Sequence, residues 1–126
     1  MASEFRYRDP ILEKDSLVII VSQSGETADS LEALRESKKR GVKTLGIVNV
    51  VGSSIAREAD DVIYTLAGPE IAVATTKAYS CQLVAEYLLA IKIARVRNVV
   101  SFEEEKEYVK KLLKTDKYNL SSKKTQ

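Results

Sequence analysis

The sequence predicts an α/β protein, a doubly wound parallel sheet with helices on both faces, and three observations support this prediction. Residues 17–21 form an unbroken apolar and largely β-branched run, which is typical of a strand buried on both faces. Two similar runs follow at 43–50 and 62–66, and helical segments separate the three. Alternation of strands with helices indicates a parallel sheet, because the crossover helices pack on its faces.

The helix predicted after the first strand covers 27–40. Ala28, Leu31 and Leu34 recur on one helical face, and Gly41 is suited to end the helix in the left-handed conformation. Acidic residues fall near its start and basic residues near its end, as the helix dipole favours. This segment is therefore predicted as an amphipathic helix that packs on the sheet.

Further helices and strands are predicted before residue 17 and after residue 40. Ala2–Arg8 is interpreted as a short strand with outward charges, and a short helix is expected to end at Ala59. A long helix is predicted from near Thr75 to about Arg97, and eleven of its residues 80–94 are apolar. The apolar surface of this helix is larger than the area that one sheet can cover. We therefore expect a homodimer in which the long helices of two chains pack together. A capping box at Ser101–Glu104 opens the last helix, and a polar linker is predicted after residue 115.

Composition excludes several classes of function. The net charge of +2 lies in residues 103–126, because residues 1–102 hold thirteen basic and thirteen acidic residues, so no nucleic-acid surface is predicted. No uncharged apolar run is long enough to span a membrane. The chain has one cysteine and no histidine, which indicates a cytoplasmic protein and excludes both a Ser-His-Asp triad and a histidine metal site.

The polar turn after the first strand is the candidate site. Ser22-Gln23-Ser24-Gly25-Glu26-Thr27 lies between a strand and a helix, where an open α/β sheet binds phosphate. One interpretation is that Ser24 or Thr27 only caps the helix. The other is an anion site in which Ser22, Gln23, Ser24 and Thr27 donate to a phosphate. The second is favoured, since a cap needs one hydroxyl and this turn supplies three and an amide.

The segment Ser22–Thr27 resembles the phosphate loop of the sugar isomerase (SIS) domain family. Together with Ala2–Arg8 and Ala72–Ala78, it is similar to the first isomerase subdomain of the glucosamine-6-phosphate synthases, which are glutamine:fructose-6-phosphate aminotransferases (isomerizing). The resemblance implies that Ser22, Gln23, Ser24 and Thr27 bind the phosphate of a hexose 6-phosphate, and that Val73 and Thr75 bind the sugar. The ligand implied is fructose 6-phosphate or glucosamine 6-phosphate, and no metal, cofactor or catalytic residue is expected in this chain.

The resemblance also implies a larger assembly. The family's five-stranded fold has a first strand, in the order 2-1-3-4-5, that this chain lacks, so residues 1–100 are interpreted as a SIS domain incomplete at its N-terminus. Residues 101–126 are predicted as a helix and linker. Ala2–Arg8 is expected to pair directly with Leu17–Val21. A second SIS subdomain and a glutaminase domain are the implied partners, and the chain alone is expected to bind without catalysing. The alternative is a non-catalytic SIS module that senses sugar phosphates.

Overall fold

The computed structural model describes residues 2–8, 10–68 and 76–121. Its three strands are parallel and form one sheet in the order β1-β2-β3. The helices and strands, in chain order, are α1 (Ala2–Tyr7), β1 (Leu17–Ser22), α2 (Ala28–Lys39), β2 (Lys43–Val48), α3 (Ser54–Glu58), β3 (Asp61–Tyr64), α4 (Thr76–Val96) and α5 (Phe102–Ser121). The predicted parallel α/β sheet is confirmed. Helix α5 runs past residue 115, where the sequence had indicated a linker.

The core lies where α2 and α3 cover the sheet. Its buried cluster consists of Ile20, Leu34, Val48 and Ile55. Gly46 makes room for α3, since a Cβ at this position would lie 3.0 Å from Ile55 Cγ2. On the opposite face of β2, Leu45 and Ile47 are buried as well. The central strand β2 is therefore buried on both faces.

Residues 2–7 form a helix, so the prediction of a strand there is wrong. The Arg8 N–H donates to the Glu4 carbonyl at 3.0 Å, and their side chains form an ion pair at 3.7 Å. Helix α1 packs on α2. Alternating charges suggested an outward strand face, but ion pairs four residues apart stabilise helices equally well. Alanine, glutamate and arginine also favour helix, and so short a segment carries too few positions to separate the two periods.

Strand β1 has no neighbour on its outer edge among the described residues. The expected pairing of Ala2–Arg8 with Leu17–Val21 is therefore wrong, since β1 pairs with β2 alone. On one face Leu17, Ile19 and Val21 are 47%, 42% and 39% exposed, whereas Ile20 on the other face is 7% exposed. The prediction that 17–21 is buried on both faces is therefore wrong, because among the described residues β1 lies at the edge of the sheet and one of its faces is only partly covered.

Helix α2 is fixed in place at its C-terminal end. Gly41 has φ +73°, its N–H donates to the Lys38 carbonyl at 2.9 Å, and the Val42 N–H donates to the Ser37 carbonyl at 3.1 Å. These two bonds form a Schellman motif, which confirms the predicted glycine cap. Arg35 also makes two hydrogen bonds of 2.7 and 2.6 Å to the Glu58 carboxylate. The angle between α2 and α3 is thereby held at the surface as well as in the core.

The chain divides into two compact units, residues 1–82 and 83–126. The first contains the sheet with α1, α2 and α3, and the second contains most of α4 and all of α5. Within the second unit, Glu105 lies 3.6 Å from the side-chain nitrogens of both Lys92 and Arg95. The Ser101 and Glu104 side chains each accept the other's backbone N–H, which confirms the predicted capping box. Among the described residues, no helix has the length and apolar content needed to cross a bilayer.

Candidate functional site

The polar turn 22–27 folds back on itself at the carboxyl end of β1. Ser22 Oγ accepts the Gly25 N–H at 3.0 Å and lies 3.5 Å from Thr27 Oγ1. Ser24 Oγ accepts the Glu26 N–H at 3.2 Å. The hydroxyls of Ser22 and Thr27 are therefore brought together directly in front of the first turn of α2.

Thr27 is the N-cap residue of α2, but its side chain does not cap the helix. Its backbone is extended, with φ −65° and ψ 122°, and its hydroxyl makes no capping hydrogen bond. The Ser24 hydroxyl is bonded to Glu26 and does not cap α2 either. The first N–H groups of a helix have no acceptor within it, and the dipole makes this end positive. Capping of α2 therefore does not explain the hydroxyls of Ser24 and Thr27.

Gly25 allows the turn to lie against the start of α3. Its φ is +70°, and a Cβ built on it would lie 2.1 Å from Ser53 Oγ and 2.6 Å from Ser53 Cβ. The Gly25 carbonyl accepts the Ile55 N–H at 3.0 Å. Glycine is therefore required here for two reasons, the left-handed backbone and the close approach of Ser53.

The structure brings together four of the six predicted binding residues. Ser22 is buried, Gln23 and Ser24 are half-buried, and Thr27 is exposed at the end of the turn. The Gln23 carbonyl accepts the Asn49 N–H at 3.2 Å, which ties this turn to the end of β2. Val73 and Thr75, the predicted sugar contacts, lie outside the described residues.

Comparison with protein families gives a match over most of the chain. The model of the SIS domain family covers residues 1–92, which include β1, the polar turn and the start of α2. The chain belongs to the SIS domain family. The turn Ser22–Thr27, at the carboxyl end of β1, lies within the matched region.

The curated relatives of this SIS chain carry one name. A glutamine--fructose-6-phosphate aminotransferase [isomerizing] of Clostridium tetani is 58% identical over 113 residues, which is 90% of this chain and 19% of that protein. The enzyme of the same name from Thermus thermophilus is 48% identical over 112 residues, or 89% of this chain and 18% of that protein. The chain thus spans about a fifth of the length of the curated relatives it matches.

Solved structures agree with the family assignment. The C-terminal domain of glucosamine-fructose-6-phosphate aminotransferase from Francisella tularensis superposes with a TM-score of 0.85 at 46% identity, and the match covers 90% of this chain and 32% of that chain. A glucosamine-6-phosphate deaminase from Thermotoga maritima gives a TM-score of 0.67 at 33% identity, with 84% of this chain and 32% of that chain covered. The parallel sheet and its helices are those of SIS domains in sugar-phosphate enzymes.

An acidic side chain joins the polar turn 22–27 to α3. The Glu26 carboxylate accepts the Ser54 hydroxyl at 2.6 Å and the Ser54 N–H at 2.8 Å. The hydrogen bond from the Ser54 hydroxyl lowers the pKa of Glu26, and the bond from its N–H and the charge of Arg57 act in the same direction. The negative charge of Glu26 is therefore engaged at the start of α3, adjacent to a turn that otherwise offers neutral donors.

The lowered pKa of Glu26 predicts an acid-sensitive contact. A carboxyl group with a lowered folded-state pKa contributes stability above its unfolded pKa, about 4.3, and loses it as the pH falls through the folded value. We expect wild type to melt above Glu26→Gln at pH 7, and the gap to close as the pH falls below about 4. Thermal melts of both proteins from pH 7 to 3 measure the gap. A gap that stays constant down to pH 3 would contradict the assignment, since other carboxyl groups titrate equally in both proteins.

Sequence reasoning missed two residues at this end of the sheet. Glu26 was considered only as a favourable charge in the first turn of α2, although it bonds to Ser54. Asn49 was not considered, although it directly follows β2 and bonds to both neighbouring turns. The position of Asn49 directly after a predicted strand could have identified it, because polar residues that follow parallel strands gather at one edge of the sheet.

Proposed function

We propose that this chain is the phosphate-binding part of a glutamine:fructose-6-phosphate aminotransferase (isomerizing) and binds a hexose 6-phosphate at the turn 22–27. The observation that carries the proposal is the start of α2, where the Thr27 hydroxyl and the first helical N–H groups are not used for capping. Ser22, Gln23 and Ser24 belong to the same turn and bring no charge of their own. The names of the relatives at 48–58% identity support fructose 6-phosphate as the ligand.

The remaining parts of the activity are proposed for the longer protein. Val73 and Thr75 are the proposed contacts to the sugar, as the resemblance implied. The whole enzyme would transfer ammonia from glutamine to fructose 6-phosphate and give glucosamine 6-phosphate in the cytoplasm. A second SIS subdomain and a glutaminase domain would supply the acid–base groups, so this chain alone is proposed to bind without turnover.

A homodimer is also proposed. The exposed face of β1 and exposed apolar side chains of α4, among them Tyr87, Leu88 and Ile93, support it, because contiguous apolar surface favours association. The face of β1 belongs to the first compact unit, and the three side chains of α4 belong to the second. The sequence argument from the long apolar helix leads to the same proposal.

Removing either donor hydroxyl tests the phosphate site. We expect Ser24→Ala and Thr27→Ala each to weaken fructose 6-phosphate binding by about 1.5–3 kcal/mol, the usual contribution of a hydrogen bond to a charged group. The Thr27→Ala change should leave the unfolding free energy nearly unchanged, because this hydroxyl does not cap α2. Isothermal titration calorimetry and urea unfolding measure the two quantities.

A matched control separates the site from a general effect of losing a hydroxyl. Ser16→Ala makes the same chemical change just before β1, at the opposite end of that strand, and should leave the affinity unchanged. Fructose without its phosphate should bind far more weakly than fructose 6-phosphate to wild type. Equal affinity in wild type and both site variants would remove phosphate binding from this turn.

A further inference from the structure

Asn49 connects three strand ends at the carboxyl edge of the sheet. It directly follows β2, and its N–H donates to the Gln23 carbonyl at 3.2 Å in the phosphate turn. Its side chain bonds in the other direction, to the segment after β3. Oδ1 accepts the Ala67 N–H at 2.8 Å and the Thr65 hydroxyl at 3.2 Å, and Nδ2 donates to the Gly68 carbonyl at 2.9 Å. One residue therefore holds the turn after β1 through its backbone and the segment 65–68 through its amide.

The segment held by Asn49 is also joined to β2, because the Thr65 N–H donates to the Val48 carbonyl at 2.9 Å. Leu66 has φ +50°, a left-handed conformation that costs a non-glycine residue on the order of 1 kcal/mol. Its side chain is 72% exposed, so burial of that side chain does not offset the cost. The residues on both sides of Leu66 bond to the Asn49 amide. The hydrogen bonds from Asn49 thus stabilise a backbone conformation that the local sequence disfavours.

This segment leads from the sheet toward the residues proposed to bind the sugar. Gly68 is five positions before Val73 in the sequence. A Cβ on Gly68 would lie 3.7 Å from Lys77 Nζ, so a side chain from the first turn of α4 reaches this segment. The position of 65–68 therefore sets where the chain starts toward Val73 and Thr75, relative to the phosphate turn.

We propose that Asn49 is a positioning residue that holds the segment 65–68, from which the chain leads on to the proposed sugar contacts, at a fixed place relative to the phosphate turn. The proposal rests on the proposed function, since it assumes that the two turns hold two parts of one hexose phosphate. It predicts that loss of the Asn49 side chain affects fructose 6-phosphate binding more than inorganic phosphate binding. Asn49→Ala keeps the backbone N–H to Gln23 and so leaves the phosphate turn attached, but it removes all three side-chain bonds to 65–68.

Amide hydrogen exchange of the ligand-free chain tests the positioning itself. In Asn49→Ala we expect exchange at the Ala67 N–H to rise about tenfold, which corresponds to the loss of one hydrogen bond. Asn49→Asp keeps an acceptor for this N–H and should retain most of the protection. The Val42 N–H, bonded to Ser37 at the end of α2, serves as an internal reference and should exchange equally in all three proteins. Unchanged exchange at Ala67 in Asn49→Ala would overturn the proposal.

The ratio of two affinities then separates a positioning role from a general structural one. We expect Asn49→Ala to weaken fructose 6-phosphate binding about tenfold and inorganic phosphate binding less than twofold. Asn98→Gly is the matched control, because it also removes an asparagine side chain, but from the second unit. Glycine is used because Asn98 has φ +56°, and the change should alter neither affinity. Parallel losses for both ligands in Asn49→Ala would overturn the inference and leave the proposed function intact. Wild type that binds neither ligand would overturn both.

Discussion

Replacing Gly25 by alanine is expected to cost about 2–5 kcal/mol of unfolding free energy. Two effects add at this position. The left-handed φ of +70° disfavours any side chain, and the new Cβ would lie 2.1 Å from Ser53 Oγ and 2.6 Å from Ser53 Cβ. Backbone of the turn or of the start of α3 would have to move, and phosphate binding should fall with it. Urea unfolding and calorimetry with fructose 6-phosphate measure the two losses.

Gly41→Ala is the matched control for this change. Gly41 has φ +73°, nearly the same as Gly25, but a Cβ there would meet nothing within 4 Å. It should therefore cost only the conformational part, about 1–2 kcal/mol, and leave binding unchanged. The double variant Gly25→Ala with Ser53→Gly removes the clash and should recover most of the difference. Equal losses at positions 25 and 41 would show that the contact with Ser53 is unimportant.

Truncating Leu34 to alanine is expected to cost about 2–5 kcal/mol, because it leaves a cavity in the core of the first unit. Leu34 is fully buried and packs with Ile20, Val48 and Ile55 between α2 and the sheet. A loss of this size is a large fraction of the stability of a typical domain, about 5–15 kcal/mol. Urea unfolding of the variant measures it.

Two further leucine truncations calibrate the Leu34 result. Leu31→Ala, at a partly buried position on the same helix, should cost less. Leu113→Ala, on α5 with 60% of the side chain exposed, should change stability by less than about 0.5 kcal/mol. Equal effects at positions 34 and 113 would contradict the placement of the core. The start of α2 at the phosphate turn depends on this packing, since the helix lies on the sheet through these side chains.

The sequence alone determined the elements with strong local signals. The runs beginning at Leu17, Lys43 and Val62 were long and apolar enough to indicate strands, and the structure has a strand at each of them. Of these three strands, only β2 is buried on both faces. Gly41 and Ser101 marked helix boundaries through local backbone chemistry that depends on few neighbours. The position of the phosphate turn also followed from order along the chain, because a polar turn between a buried strand and a helix has one place in an α/β sheet.

Only the tertiary structure decided the outcomes that depend on distant residues. Residues 2–7 form a helix that packs on α2, while β1 keeps an open edge among the described residues, and neither outcome can be read from so short a segment. The Thr27 hydroxyl fitted both capping and ligand binding in sequence, and the folded chain shows that it makes no capping hydrogen bond. Gly25 meets Ser53 twenty-eight positions away, and Asn49 meets Ala67 eighteen positions away. Parallel register gathers the carboxyl ends of the strands at one edge, so contacts between successive turns arise from the sheet and not from local sequence.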